Sequence, residues 1–425
     1  MRIRLEYGKE GLIADVPDKN LQAVLKHTPA TPLPDPLAST RAAFSKPIGT
    51  RPLKEIAQGR TDACIVICDI TRPVPNTTLL PPILETLHEA GIPSNRVKIL
   101  IATGTHRPNQ GAETEALVGR DIAASYEIIN HNCNDTATHR SFGTTAAGTP
   151  VLLDRHYCDA DLKITVGLIE PHFMAGYSGG RKLIMPGLAA KETIHFWHSP
   201  RFLEHPKATN GIVDGNPVHE ESLAIARMCP PDMIVDVTLD ETNQITGVFA
   251  GELIEAWREG VAFARSHVRA SVSASADIVV TTCAGHPLDA TFYQAVKGMV
   301  GALPVVKPGG SIIVAASCSE GIGSESFTRA LTEAHSLEHF MERIQDPDWT
   351  VVPDQWQIEE LARVVCRHKV YCVCEGIPED RLSQLFVTPA LTVENALEMA
   401  FERHGREASV VAIPKGPYVI PYLAA

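Results

Sequence analysis

The sequence predicts two α/β domains, each with a mostly parallel sheet and an active-site cleft between them. Three observations carry this. Short apolar runs alternate with helix-like segments along most of the chain. The alternation starts afresh after a small-residue stretch, Ala270 to Ala276. A length of 425 residues suits two or three domains. The expected division is residues 1–270 and 271–425.

The elements follow in order. Residues 1–17 alternate and turn like a hairpin, and a proline-rich connector runs from Thr28 to Pro36. Cys64 to Asp69, Val97 to Ala102 and Lys163 to Ile169 are continuous apolar runs, as expected of strands buried on both faces. Thr78 to Ala90, Pro217 to Met228 and Glu252 to Val268 have helical spacing, with a hairpin expected from Met233 to Ala250. In the second half, Ile278 to Thr282, Ser311 to Ala316 and Val370 to Cys374 read as strands, and Val393 to Arg403 as a helix. The halves share an architecture without a residue-level repeat.

Composition excludes several classes. A hydrophobic content of 44% and a charged content of 21% are those of a globular protein. The net charge of −12, with no basic stripe, argues against nucleic acid as partner. An anionic substrate would need cations placed locally. Apolar runs are too short for a membrane span, and the N-terminus lacks the apolar core of a signal peptide. Ten scattered cysteines without a C-x-x-C pair suggest a reduced, cytoplasmic protein.

Polar clusters fall just after predicted strands, where open α/β sheets bind ligands. Asp69 and Arg72 follow the first strand, and Gly104, His106 and Arg107 the second. Glu170, His172, Gly179, Gly180 and Lys182 follow the third, with His195 and His198 at a helix end beyond. Asp289, Tyr293, Gln294 and Lys297 follow the strand ending at Thr282. Singly, His106 and His172 are as readily hydrogen-bonded loop histidines, and Lys182 is more often a solvated surface lysine. Together, four strand-end clusters point to one shared cleft. No G-x-G-x-x-G follows the first strand of either half, and Gly-Gly-Arg-Lys-Leu lacks the hydroxyl residue of a P-loop. H-E-x-x-H and four-ligand zinc patterns are missing as well. Two imidazoles near a lysine and several cations remain, and an imidazole can accept and return a proton near pH 7. Two such bases on opposite sides of one carbon are what a racemase requires.

Five stretches, DITRP (69–73), GTHRP (104–108), EPHFMAGYSGGRK (170–182), HFWHSP (195–200) and YQAVKG (293–298), resemble the nickel-pincer lactate racemase family in order and spacing. The resemblance implies a nickel ion held in a pyridinium-3,5-bisthiocarboxylic acid mononucleotide tethered to Lys182, with His198 as the protein ligand to the metal. It places acid/base roles on His106 and His172. Substrate contacts fall on Arg72, Gln294 and Lys297, with Tyr293 lining the pocket. Asp69 is grouped with the cofactor, near the nucleotide or orienting a histidine, a structural role being the alternative. The Gly104 loop and the Gly179–Gly180 turn are candidates for its phosphate. Trp356 resembles an aromatic lining that family's cleft, although a core tryptophan is the commoner case. The implied reaction is racemisation or epimerisation of a small 2-hydroxy acid, lactate-like, by proton-coupled hydride transfer. Its implied partners are the substrate and cofactor-maturation enzymes. A longer or dicarboxylic substrate would need one more cation, from Arg107, Arg181 or Lys207. The rival readings are a nicotinamide- or metal-dependent 2-hydroxy-acid dehydrogenase or hydrolase, and a non-catalytic nucleotide-binding protein.

Overall fold

The computed structural model describes residues 1–424 other than positions 241, 347, 348 and 350. The chain forms two compact units: Pro29–Glu170 with Ala175–His267, and Met1–Thr28 with Pro171–Met174 and everything from Val268 onward.

The first unit is built on a six-stranded sheet. Its spatial order is Ile245–Gly251, Met233–Leu239, Leu162–Leu168, Ala63–Cys68, Val97–Ala102, Glu127–Asn130. All neighbours are parallel except the Ile245–Gly251 edge, which returns antiparallel as the expected hairpin. Ala63–Cys68 is buried at every position but the last, as a central strand with both faces covered must be. The Asn76–Glu89 helix packs Leu79, Leu80, Ile83, Leu84 and Leu87 into the core on that sheet. Numbered along the chain, the strands lie in the order 6-5-4-1-2-3. The order reverses between Ala63–Cys68 and Leu162–Leu168, because the crossovers from these neighbours leave in opposite directions. A crevice at the carboxyl ends of such a pair is where doubly wound sheets bind ligands.

The second unit has a six-stranded, all-parallel sheet. Its order is Thr388–Ala390, Lys369–Val373, Val306–Ala315, Ala276–Thr282, Val410–Ile413, Leu21–Val24. The Phe292–Ala302 helix starts at Thr291, whose side chain accepts the Gln294 N–H as an N-cap. The N-terminal hairpin pairs Arg2–Leu5 with Leu12–Asp15. Its inward residues Ile3, Leu5, Ala14 and Val16 share a core cluster with Val280, Ile313 and Leu397. The first 28 residues therefore belong with the C-terminal unit, not with the domain 1–270 expected from sequence. The physical reason is that Leu21–Val24 completes the second sheet by pairing with Val410–Ile413. His172 also lies in this unit, within Pro171–Met174, although Glu170 before that segment and Ala175 after it lie in the first.

Gly298 packs the Phe292–Ala302 helix directly on a strand end: a Cβ there would stand 2.1 Å from the Thr282 carbonyl oxygen. Gly298→Ala should lower the unfolding free energy in urea by about 1–3 kcal/mol, since backbone rather than a flexible side chain must give way. A change within about 0.5 kcal/mol, the range of an ordinary surface substitution, would contradict this close approach.

Candidate active site

In the first unit, the loops leaving the two strands at the order reversal carry interlocked polar side chains. Asp69, 4% exposed, follows Ala63–Cys68 directly. One of its oxygens accepts the Thr71 N–H at 3.1 Å and hydroxyl at 2.5 Å. The other lies 2.6 Å from His106 Nδ1. An ionised carboxylate only accepts, so the His106 ring donates from Nδ1 and leaves Nε2 for other chemistry. His106 itself is 55% exposed. Burial works to raise the Asp69 pKa, but the His106 and Thr71 hydrogen bonds, with the charges of His106 and Arg72, hold it below the ordinary carboxylate value. Arg72 donates its main-chain N–H to the Asp69 carbonyl, and its Nε lies 3.2 Å from Glu170. Glu170 is tied in turn to Ser178: its carbonyl accepts the Ser178 N–H, and its own N–H donates to the Ser178 hydroxyl.

The Gly-rich loop after Leu162–Leu168 is a folded clamp. Gly179 and Gly180 both have positive φ, +75° and +50°, which side-chain-bearing residues rarely adopt. They lead into a short 3-10 turn over Gly180–Leu183 that carries Lys182. Arg181 is 1% exposed and donates to the carbonyls of Ala175 and Tyr177 at 2.9 Å, with its guanidinium 4.3 Å from the Trp257 ring centre. Arg181 thus closes the loop and is turned away from any substrate; Arg107, a second sequence candidate for an extra cation, is held by Glu113 at 2.7 and 2.6 Å. Lys207 lies on the surface near the Asp214 carbonyl. The Gly104 N–H donates to the Gly187 carbonyl, joining the His106 loop to the segment after Lys182.

Lys182 Nζ stands 5.8 Å from the ring centre of Trp197, the last residue of the Lys191–Trp197 helix. Trp197 is fully buried and donates its indole N–H to the Val218 carbonyl, which fixes that helix end. His198 caps it, 9% exposed. Burial first, then the charges of Lys182 and His195, push the His198 imidazole well below the ordinary histidine pKa. It is neutral near pH 7, the form in which an imidazole can bind a metal. His195, one turn earlier, is half-buried.

The second unit holds the other candidates. The His172 ring stacks on Phe173 at 5.0 Å, and Phe173 packs against this unit's core. Lys297 Nζ lies 5.5 Å from the Phe173 ring centre, so the His172 segment and the Phe292–Ala302 helix meet. Tyr293, Gln294 and Lys297 all come from the first half of that helix. The Tyr293 hydroxyl accepts the Trp356 indole N–H at 3.0 Å, and burial pushes its phenol pKa up. Gln294 Oε1 is a buried oxygen with no hydrogen-bond partner among the described residues.

Asp69, Arg72, Gly104, His106, Gly179, Gly180, Lys182 and His198 therefore lie in the first unit, and His172, Tyr293, Gln294 and Lys297 in the second. Sequence reasoning gave Glu170 no role and missed Ser178, Trp257 and Asp236, which brace the Lys182 loop. Asp236 had a signal: it is the one charged residue in the mostly apolar run Met233–Leu239.

Comparison with known proteins follows the same lines. Residues 7–211 match the lactate racemase N-terminal domain and residues 272–421 the lactate racemase C-terminal domain. A lactate racemase of Thermoanaerobacterium thermosaccharolyticum is 34% identical over 422 residues, 98% of either chain. One from Lactiplantibacillus plantarum is 35% identical over 423 residues, 98% of this chain and 99% of the other. The structure of the Thermoanaerobacterium thermosaccharolyticum lactate racemase apoprotein superposes with a TM-score of 0.94, covering 99% of this chain and all of that one. A Thermotoga maritima protein of 18% identity, with a TM-score of 0.71, shares the fold. The family matches and relatives define an isomerase of the racemase class, built as a two-domain α/β protein. The chain belongs to the lactate racemase family.

A pH dependence follows from Asp69. Its folded-state pKa is depressed, so its contribution to stability is present above the ordinary carboxylate pKa and lost as pH falls through the folded value. The stability difference between wild type and Asp69→Ala in urea should be full at pH 7 and shrink below about pH 4. A difference that stays constant down to pH 3 would mean that the Asp69 hydrogen bonds do not favour its charged form.

Proposed function

We propose that this chain interconverts the two enantiomers of a small 2-hydroxy acid, with lactate as substrate, using a nickel-pincer nucleotide tethered to Lys182. The observation that carries the reading is Lys182 held beside His198, a buried imidazole kept neutral. Among the described residues, no group of three or more His, Cys, Asp or Glu could hold an ion by itself. A metal here would take its remaining donors from a bound group, with His198 as the protein's ligand. Imidazole and sulfur donors suit nickel, so the residues present fit the group. The Gly104 loop and the Gly179–Gly180 turn would lie along its phosphate.

When bound, the nucleotide supplies an acceptor that takes hydride from the substrate carbon and returns it. The chain's own residues do the rest. Arg72 and Lys297 hold the carboxylate, Arg72 by a planar fork already oriented by Glu170. Gln294 and Tyr293 complete the substrate contacts. His106 takes the hydroxyl proton at Nε2 while Asp69, on Nδ1, fixes the ring and stabilises its charged form. His172 does the same for the opposite enantiomer. Local cations are needed because the chain carries a net charge of −12. All ten cysteines are unbridged, and among the described residues no helix is long and apolar enough to cross a membrane. Both suit an enzyme loaded by maturation enzymes in a reducing cytoplasm.

Protein made together with its cofactor-maturation enzymes should carry a nucleotide-sized mass adduct on the Lys182 peptide and roughly one nickel per chain. His198→Ala should lose the nickel. An unmodified Lys182 in active protein would sink the tether. His106→Ala and His172→Ala should each cut racemisation in both directions by about 10²-fold or more. If either variant racemises at a near-normal rate, the two-base assignment is wrong.

A further inference from the structure

Beneath the Gly179–Gly180 turn lies a carboxyl group that none of the roles above uses. Asp236 sits in the Met233–Leu239 strand, directly opposite Gly167 of Leu162–Leu168 in the sheet register. Apart from Thr238 the rest of the strand is apolar, and Asp236 is fully buried. Its Oδ2 accepts the Gly180 N–H at 2.7 Å, and its Oδ1 has no hydrogen-bond partner among the described residues. The neighbourhood is shaped around it. A Cβ on Gly167 would stand 2.5 Å from Oδ1, and one on Gly179 would stand 2.9 Å from Oδ2. The opposite side of the turn is equally fixed: a Cβ on Gly180 would meet Trp257 at 2.9 Å, and the Trp257 indole donates to the Ser178 carbonyl at 2.7 Å. Lys182 closes the turn by donating its main-chain N–H to the Gly179 carbonyl at 3.1 Å.

We infer that Asp236 is the positioning residue for Lys182: its carboxyl oxygen anchors the Gly180 amide and so sets the turn that presents the lysine for cofactor attachment. This rests on the reading of Lys182 as the tether. A buried carboxyl with one oxygen unused is a costly way to hold a sheet together, and an apolar residue would serve the strand better. Its one hydrogen bond goes to the turn, two residues from the lysine. Arg181 cannot substitute, because a guanidinium has no acceptor to offer the Gly180 N–H. The acceptor oxygen is what matters here, so asparagine, which keeps it, should serve, and alanine should not.

Two readouts on the full chain test this. The first is hydrogen–deuterium exchange of the Gly180 amide in protein made without maturation enzymes. The second is the fraction of Lys182 modified after co-production with them, read by peptide mass. Asp236→Ala should exchange the Gly180 amide about tenfold faster than wild type, as expected for one lost hydrogen bond to a carboxyl. It should also carry far less adduct. Asp236→Asn should restore protection and loading. Equal loading of wild type and Asp236→Ala would overturn the inference, as would an Asn variant that loads as poorly as Ala while folded. Should Asp236→Ala not fold, wild-type exchange decides: a Gly180 amide no slower than that of Gly309, an exposed residue, overturns it. Unmodified Lys182 in wild type would sink the tether reading instead, leaving the exchange arm to judge the anchor.

Discussion

The first unit's chemistry hangs from one topological constraint: two neighbouring parallel strands, Ala63–Cys68 and Leu162–Leu168, whose crossovers depart in opposite directions. Helices covering both faces cannot cover the carboxyl ends where the order reverses, so the loops there have space to hold a ligand. Asp69 leaves one strand end and Glu170 the other, and each immediately engages a functional side chain, His106 or Arg72. The apolar strands supply rigidity, and loop residues one or two positions beyond them inherit it. Groups meant to move protons or grip a carboxylate gain most from such placement, because misplacement by about 1 Å is expensive in rate.

Burial then sorts the ionisable groups. His198 lies where charge is disfavoured and stays neutral, the form that the proposed role as a metal ligand requires. Arg181 and Asp236 are both buried in the Lys182 loop region. Burial lowers the Arg181 pKa to about 9 and raises that of Asp236 to about 7, and the charge of each partly offsets the shift of the other. His106, by contrast, is open to solvent on one side and tied to a carboxylate on the other. That suits a group that must change protonation during turnover. The same residue type is thus suited to different tasks because surroundings, not identity, decide which protonation state is cheap.

Much of this was legible in the sequence, and for identifiable reasons. Strands buried on both faces announce themselves as unbroken apolar runs, so Val97–Ala102 fell at its expected limits. The candidate site residues stand out because they cluster directly after those runs. Long-range pairing was not legible: nothing in Leu21–Val24 reveals that its partner is Val410–Ile413. Neither does the sequence give the direction of a side chain. Arg181 sits beside Lys182 and seemed available to a substrate, yet its guanidinium turns inward to close the loop. Asp236 was readable in principle as a lone acid in a mostly apolar strand, but its target, the Gly180 amide, appears only once the sheet register is known.

The central claim is that the substrate carbon is inverted by hydride removal and return, with histidines handling only the hydroxyl proton. Racemisation of one lactate enantiomer in D₂O by cofactor-loaded protein tests this most directly. Hydride that never becomes a solvent proton returns to carbon unexchanged, so the opposite enantiomer should form without deuterium at C2. Deuterium at C2 in step with inversion would mean that a histidine removes the carbon-bound hydrogen as a proton, and would contradict the account.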